Sequence, residues 1–109
     1  ELHLLSVQRT LDGNVSLFIN QADIKQYHQD EGLKCLQNTR DFLDQAGIPY
    51  QYHITVGDPA DMIVRFAAEK HYHQIVMGPR GMGGIQGLLL GSVTNKVMQL
   101  SSIPVLLVK

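Results

Sequence analysis

Residues 77–94 read Met77-Gly78-Pro79-Arg80-Gly81-Met82-Gly83-Gly84-Ile85-Gln86-Gly87-Leu88-Leu89-Leu90-Gly91-Ser92-Val93-Thr94, a glycine-dense run between two apolar segments. On its N-terminal side Gln74-Ile75-Val76-Met77 is a short apolar strand that stops at Gly78. On its C-terminal side a helix is expected from about Ser92 to Leu100, and after the breaker Pro104 comes a last apolar strand, Val105-Leu106-Leu107-Val108. Strand, glycine loop, helix and strand in that order argue for a parallel sheet with crossover helices. In such sheets ligands bind where strand C-termini and helix N-termini converge. Gly78 and Gly81 are expected to let the backbone turn sharply and approach a ligand, and Gly91 to do the same at the helix mouth. There the unpaired N–H groups of Ser92, Val93 and Thr94 and the positive end of the helix dipole favour an anion. The hydroxyls of Ser92 and Thr94 are expected to add hydrogen bonds to it, with Arg80 a secondary candidate inside the loop.

Toward the N-terminus the alternation of helix and strand continues. Gly57-Asp58-Pro59 closes a strand and opens a helix, with Asp58 suited to the cap and Pro59 to the first helical position. Ala60, Ile63, Val64, Ala67 and Ala68 form the expected buried stripe of that helix, which ends near Lys70 or His71. Tyr50 to Val56 alternates as a half-buried strand, with Tyr50, Tyr52, Ile54 and Val56 on one face. From Glu31 to Ala46, Leu33, Leu36, Phe42, Leu43 and Ala46 recur at helical spacing, with Gly47 at the C-cap and Pro49 beyond. Gln8 to Asp30 is expected to be a long, weakly specified connection, and Leu2 to Val7 a strand.

With 109 residues, 44% of them apolar, the chain has the dimensions of one globular domain spanning 1–109. Nine Lys and Arg against ten Asp and Glu supply no basic field for a nucleic acid. No apolar run approaches the roughly 18 residues of a membrane span, and no signal-peptide layout is visible. Cys35 is the single cysteine, so neither an internal disulfide nor a CxxC zinc site is available, and a reducing, cytoplasmic setting is expected. It lies beside the apolar stripe of its helix and is expected to be a buried or half-buried inert thiol. His71 and His73 suit a helix end better than a metal, Asp58 and Asp61 suit capping and first-turn charge, and His3, His28 and His53 are read as ordinary positions.

The loop is neither a Walker A motif nor a dinucleotide GxGxxG. Its spacing, Gly78-x2-Gly81-x9-Gly91-Ser92, followed by Val93-Thr94 and the Pro104 to Val108 strand, closely resembles the universal stress protein family, in the subclass whose members bind ATP. The resemblance extends to Glu1 to Val7, similar to the family's second strand, and to Gly57-Asp58-Pro59-Ala60, similar to a strand-to-helix junction. It implies a doubly wound α/β domain with a parallel sheet, flavodoxin-like or Rossmann-like in order and similar to the adenine nucleotide alpha hydrolases. The family's first strand and helix, which carry an adenosine-side Asp, are then expected before Glu1, with that strand central in the sheet. By resemblance Val7 sits at the adenine or ribose end, Met77 and Gly78 at the strand tip, and Gly81, Gly91, Ser92, Val93 and Thr94 around the phosphates. The resemblance admits Mg²⁺ or Mn²⁺ beside the phosphates, and no carboxylate in the motif marks a ligand for either. It implies a stress-linked regulatory module, a homodimer through Val105 to Val108, and at most slow ATP hydrolysis. Two other classes remain: a superfamily enzyme, which needs an acid, base or Lys aimed at the phosphates, and a dimerising interaction module without nucleotide. No such group is visible near the motif, and the intact Gly78, Gly81, Gly91 and Ser92 speak for a ligand.

Overall fold

Two β-α-β crossovers carry the chain, described at residues 1–11, 20–79 and 90–109 of the computed structural model, and each belongs to its own compact unit, 1–58 and 59–109.

In the first unit β1 (His3–Gln8) leads to helix α1 (Gln21–Ala46) and then to β2 (Gln51–Val56). The two strands are parallel, in a register running from His3↔Gln51 to Gln8↔Val56. Helix α1 packs against both strands. Its start is set by Asn20, whose side-chain oxygen accepts from the Asp23 N–H at 2.9 Å and satisfies one of the orphan donors of the first turn. Its end is set by Gly47 at φ 69°, a left-handed conformation that glycine adopts without Cβ strain, while the Ile48 N–H reaches back to the Leu43 carbonyl at 3.0 Å.

The expected loop from Gln8 to Asp30 is therefore corrected: its second part is helix, which begins at Gln21 rather than Glu31. The buried positions of α1 are His28, Gly32, Leu36 and Leu43, so the stripe continues upstream through a histidine and a glycine that an apolar count passes over. Gly32 is there because the strand is close: a Cβ on it would stand 2.5 Å from the Ile54 Cγ2. The stripe is also narrower than expected. Phe42 is 69% exposed, Ala46 is exposed, and Cys35, adjacent to Leu36 but turned off the stripe, is exposed rather than buried. The Tyr50-to-Val56 alternation is likewise blurred, since Tyr52 and Val56 are both exposed while His53, Ile54 and Thr55 are half-buried. Tyr52 is covered on one side by the Arg40 guanidinium, 4.6 Å from the ring centroid.

In the second unit helix α2 (Pro59–Glu69) precedes β3 (Ile75–Met77), helix α3 (Ser92–Leu100) and β4 (Val105–Leu107). Strands β3 and β4 are parallel, with Ile75↔Val105, Val76↔Leu106 and Met77↔Leu107 in register. Helices α2 and α3 pack together, burying Ala60 and Ala67 on one and Thr94 and Val97 on the other. Ile63 and Val64 of the expected stripe are half-buried, and Ala68 is exposed. Helix α2 closes as α1 does, but with His71 in the left-handed position at φ 56°, its N–H on the Ala68 carbonyl and the Tyr72 N–H on that of Ala67. Burial alternates along both strands of this sheet. Ile75, Met77, Val105 and Leu107 are half-buried, whereas Val76, Leu106 and Val108 are 59, 48 and 51% exposed.

Candidate functional site

The tip of β3 and the mouth of α3 meet through two hydrogen bonds that flank the glycine loop. Beyond Met77 the carbonyls of Gly78 and Pro79 both receive donors from the far side of the loop. The Gly91 N–H donates to the Pro79 carbonyl at 2.7 Å, and the Thr94 hydroxyl donates to the Gly78 carbonyl at 2.9 Å. Thr94 is 2% exposed and Gly78 half-buried, so this bond is partly shielded from water.

Gly91 caps α3 at φ −72°, ψ 161° and makes no side-chain hydrogen bond to it. The Asn95 N–H bonds the Gly91 carbonyl at 3.0 Å, which opens the intrahelical ladder. The three N–H groups before it, on Ser92, Val93 and Thr94, have no intrahelical acceptor by the geometry of any helix start. Ser92 is exposed and Val93 half-buried. Among the described residues no side chain caps these donors, so the first turn of α3 offers positive potential to an anion.

Two sequence expectations change here. Gly91 has an ordinary extended backbone, and neither it nor Gly78 has a positive φ. Any role of these glycines rests on the missing Cβ, not on a sharp left-handed turn. The Thr94 hydroxyl, expected on a ligand oxygen, instead donates to the carbonyl of half-buried Gly78. Its backbone N–H remains at the mouth. Arg80 and Gly81 lie outside the described residues. Val7 lies near the end of β1, in the first unit, where it is half-buried and in register with Thr55. The Thr55 hydroxyl is buried and has no hydrogen-bond partner.

No acid or base is gathered at the mouth among the described residues. Lys96, one turn into α3, has its ammonium 3.6 Å from the Asp61 carboxylate of α2. No group of three or more His, Cys, Asp or Glu side chains is placed to hold a metal among the described residues, and no helix there is long and apolar enough to cross a membrane. The structure does join two histidines that the sequence leaves apart. His3 Nδ1 and His53 Nε2 are 3.0 Å apart, with the rings stacked at 5.2 Å, and Glu1 Oε1 lies 3.3 Å from His3 Nε2. The signal that finds this pair is the parallel register, which sets His53 opposite Leu5 and diagonal to His3 on one sheet face.

The model of the universal stress protein family matches residues 1–109. The chain is 39% identical over 87 residues to universal stress protein YxiE of Bacillus subtilis, a match covering 80% of this chain and 59% of that protein. It is 33% identical over 99 residues to universal stress protein MJ0577 of Methanocaldococcus jannaschii, covering 91% of this chain and 60% of the relative. The chain thus spans little more than half the length of these relatives. Among solved structures, that of MJ0577 aligns over 100% of this chain and 75% of its own with a TM-score of 0.81 at 32% identity. The structure of PH0823 aligns over 98% and 73% with a TM-score of 0.69 at 28% identity. The fold is the doubly wound α/β type with parallel strands, as the order of strands and helices implied.

Proposed function

This chain belongs to the universal stress protein family, and on that premise we propose that it binds ATP or another adenine nucleotide as a regulatory module of the stress response. The observation that carries the reading is the mouth of α3, where the first-turn N–H groups of Ser92, Val93 and Thr94 have no intrahelical acceptor and no side chain among the described residues caps the helix. The spacing of Gly78, Gly81, Gly91 and Ser92 supports the same reading by its resemblance to the ATP-binding subclass. In this account Ser92, Val93 and Thr94 give backbone donors to the phosphates, Ser92 adds its hydroxyl, and Gly91 admits the ligand by lacking a Cβ. By resemblance to the family, Met77 and Gly78 are assigned to the strand tip, Arg80 and Gly81 to the phosphate loop and Val7 to the adenine or ribose end. Mg²⁺ or Mn²⁺ would travel with the nucleotide, held by its phosphates, since the described mouth has no carboxylate. With no base or acid there, the module binds rather than turns over, hydrolysing ATP slowly at most. A cytoplasmic setting follows from the nucleotide.

The assembly proposed is a homodimer through the C-terminal strand. Leu106, Val108 and the adjoining Val76 leave an apolar face half open in the single chain, and a two-fold copy would cover it.

The test of the nucleotide reading is mass spectrometry of small molecules released from the full-length protein after purification. ATP or ADP in near-stoichiometric amount is expected. A protein that releases none, and takes up none when millimolar ATP is added, contradicts it.

A further inference from the structure

We propose that His3 and His53 form a binding site for a divalent transition-metal ion that favours nitrogen ligands, at the opposite end of the β1–β2 pair from its strand tips and independent of the nucleotide reading. His3 opens β1 and His53 is the third residue of β2, and the parallel register puts both on one sheet face. The backbone there is tied by the Gln51 N–H, which donates to the Leu2 carbonyl at 3.0 Å. His3 Nδ1 and His53 Nε2 stand 3.0 Å apart. With metal–nitrogen bonds of about 2.0–2.1 Å, that separation subtends about 95° at an ion. Adjacent ligands of a tetragonal or octahedral shell make such an angle, so Ni²⁺ or Cu²⁺ fits. A tetrahedral ion would need the nitrogens a few tenths of an ångström further apart.

Glu1 orients the pair. Its Oε1 lies 3.3 Å from His3 Nε2 and accepts from Gln51 Nε2 at 2.6 Å. A carboxylate beside one ring nitrogen takes that nitrogen's proton in a hydrogen bond, which leaves His3 Nδ1 as the lone-pair nitrogen facing His53. The same carboxylate–imidazole contact fixes the ring of a metal-ligating histidine and raises its basicity as a ligand. His53 Nε2 is then the donor in the bond between the rings. For both rings to ligate, the His53 proton moves from Nε2 to Nδ1, a tautomer exchange that leaves the ring neutral. Each ring also turns about its Cβ–Cγ bond, so that the two lone pairs meet at one ion instead of along the line between the nitrogens; that torsion is broad for histidine. The His3 side chain is 14% exposed and His53 half-buried, which limits the rotamers to be ordered on binding. Among the described residues no third His, Cys, Asp or Glu completes a closed centre, so water fills the remaining positions and the ion exchanges with solvent.

The experiment titrates Ni²⁺ into the full-length protein by calorimetry, without nucleotide, in wild type, His3→Gln, His53→Gln and His73→Gln. Wild type is expected to bind the ion saturably. His3→Gln and His53→Gln each remove one of the two protein ligands and are expected to lower the affinity by about tenfold or more. His73→Gln controls for the exposed His71 and His73 pair and is expected to change the affinity by less than about twofold. A second measurement needs no variant and so stands even if a substituted protein does not fold. Paramagnetic Ni²⁺ added to isotope-labelled wild type is expected to broaden the ring signals of His3 and His53 before those of the other histidines. The proposal is overturned by an absence of saturable binding at high micromolar Ni²⁺, or by an affinity that folded His3→Gln or His53→Gln leaves unchanged. Broadening that begins at His71 and His73, or that spreads evenly over all the histidines, overturns it as well.

Discussion

His71 occupies a backbone conformation that its side chain disfavours, at φ 56° where the equivalent end of α1 uses Gly47 at φ 69°. His71→Gly is expected to stabilise the protein by about 0.5–1 kcal/mol, the left-handed penalty less the added freedom of the unfolded chain. Urea denaturation reads it, and an unchanged or lower midpoint contradicts it. Gly32 is the opposite case. Its Cβ would meet three atoms of Ile54 within 2.9 Å, so Gly32→Ala should cost about 1 kcal/mol net, with overpacking exceeding the gain in helix propensity. The loss should shrink in the Ile54→Ala background, and simple additivity of the two substitutions is the contrary result. On the nucleotide reading proposed above, Ser92 adds one hydroxyl to the backbone donors of the α3 mouth. Ser92→Ala is expected to reduce ATP affinity by the equivalent of about 1.5–3 kcal/mol in a titration, without altering the fold, as befits one hydrogen bond to a charged group.

At the scale of elements, what was legible in the sequence is what local signals encode. Gly47 after Ala46 marks the end of α1, Pro59 opens α2, and Gly91-Ser92 opens α3, each by chemistry confined to a few residues. The start of α1 escapes because the turns after Asn20 are polar and the stripe passes through His28 and Gly32, which only the neighbouring strand makes intelligible. The Cys35 and Phe42 orientations escape for a related reason: helical spacing gives the direction of a stripe but not its width. At the candidate site the glycine and serine spacing was visible, whereas the Thr94–Gly78 and His3–His53 bonds depend on tertiary approach. Asn20→Ala should destabilise the protein by about 1 kcal/mol through loss of the cap, which the same denaturation assay checks. For β4 the expectation concerns assembly. Leu106 is 48% exposed, so Leu106→Lys should leave the monomer folded and shift the full-length protein from dimer to monomer in sedimentation. A wild type that is monomeric at high micromolar concentration, or a Lys variant that dimerises equally well, contradicts the strand pairing.

For the whole molecule the account joins a doubly wound α/β fold to a mouth built mainly from backbone, in a family whose model spans every residue of the chain. Backbone donors bind phosphate but move no proton, which is why a binding module is expected rather than an enzyme. Turnover of ATP by the purified full-length protein should fall below the roughly 1 per second at which ordinary enzymes begin. Rates well inside that range would point instead to a catalytic group supplied at the site. The central claim, that the mouth of α3 holds the phosphates, is tested most directly at Gly91. Its backbone, φ −72° and ψ 161°, is open to any residue, so a side chain there disturbs the space in front of the helix and not the conformation. The measurement is calorimetric titration of ATP into full-length wild type and Gly91→Val, with unfolding of both monitored in parallel. The account predicts saturable binding by wild type and none by a variant of near-unchanged stability; equal affinity in the two proteins would contradict it.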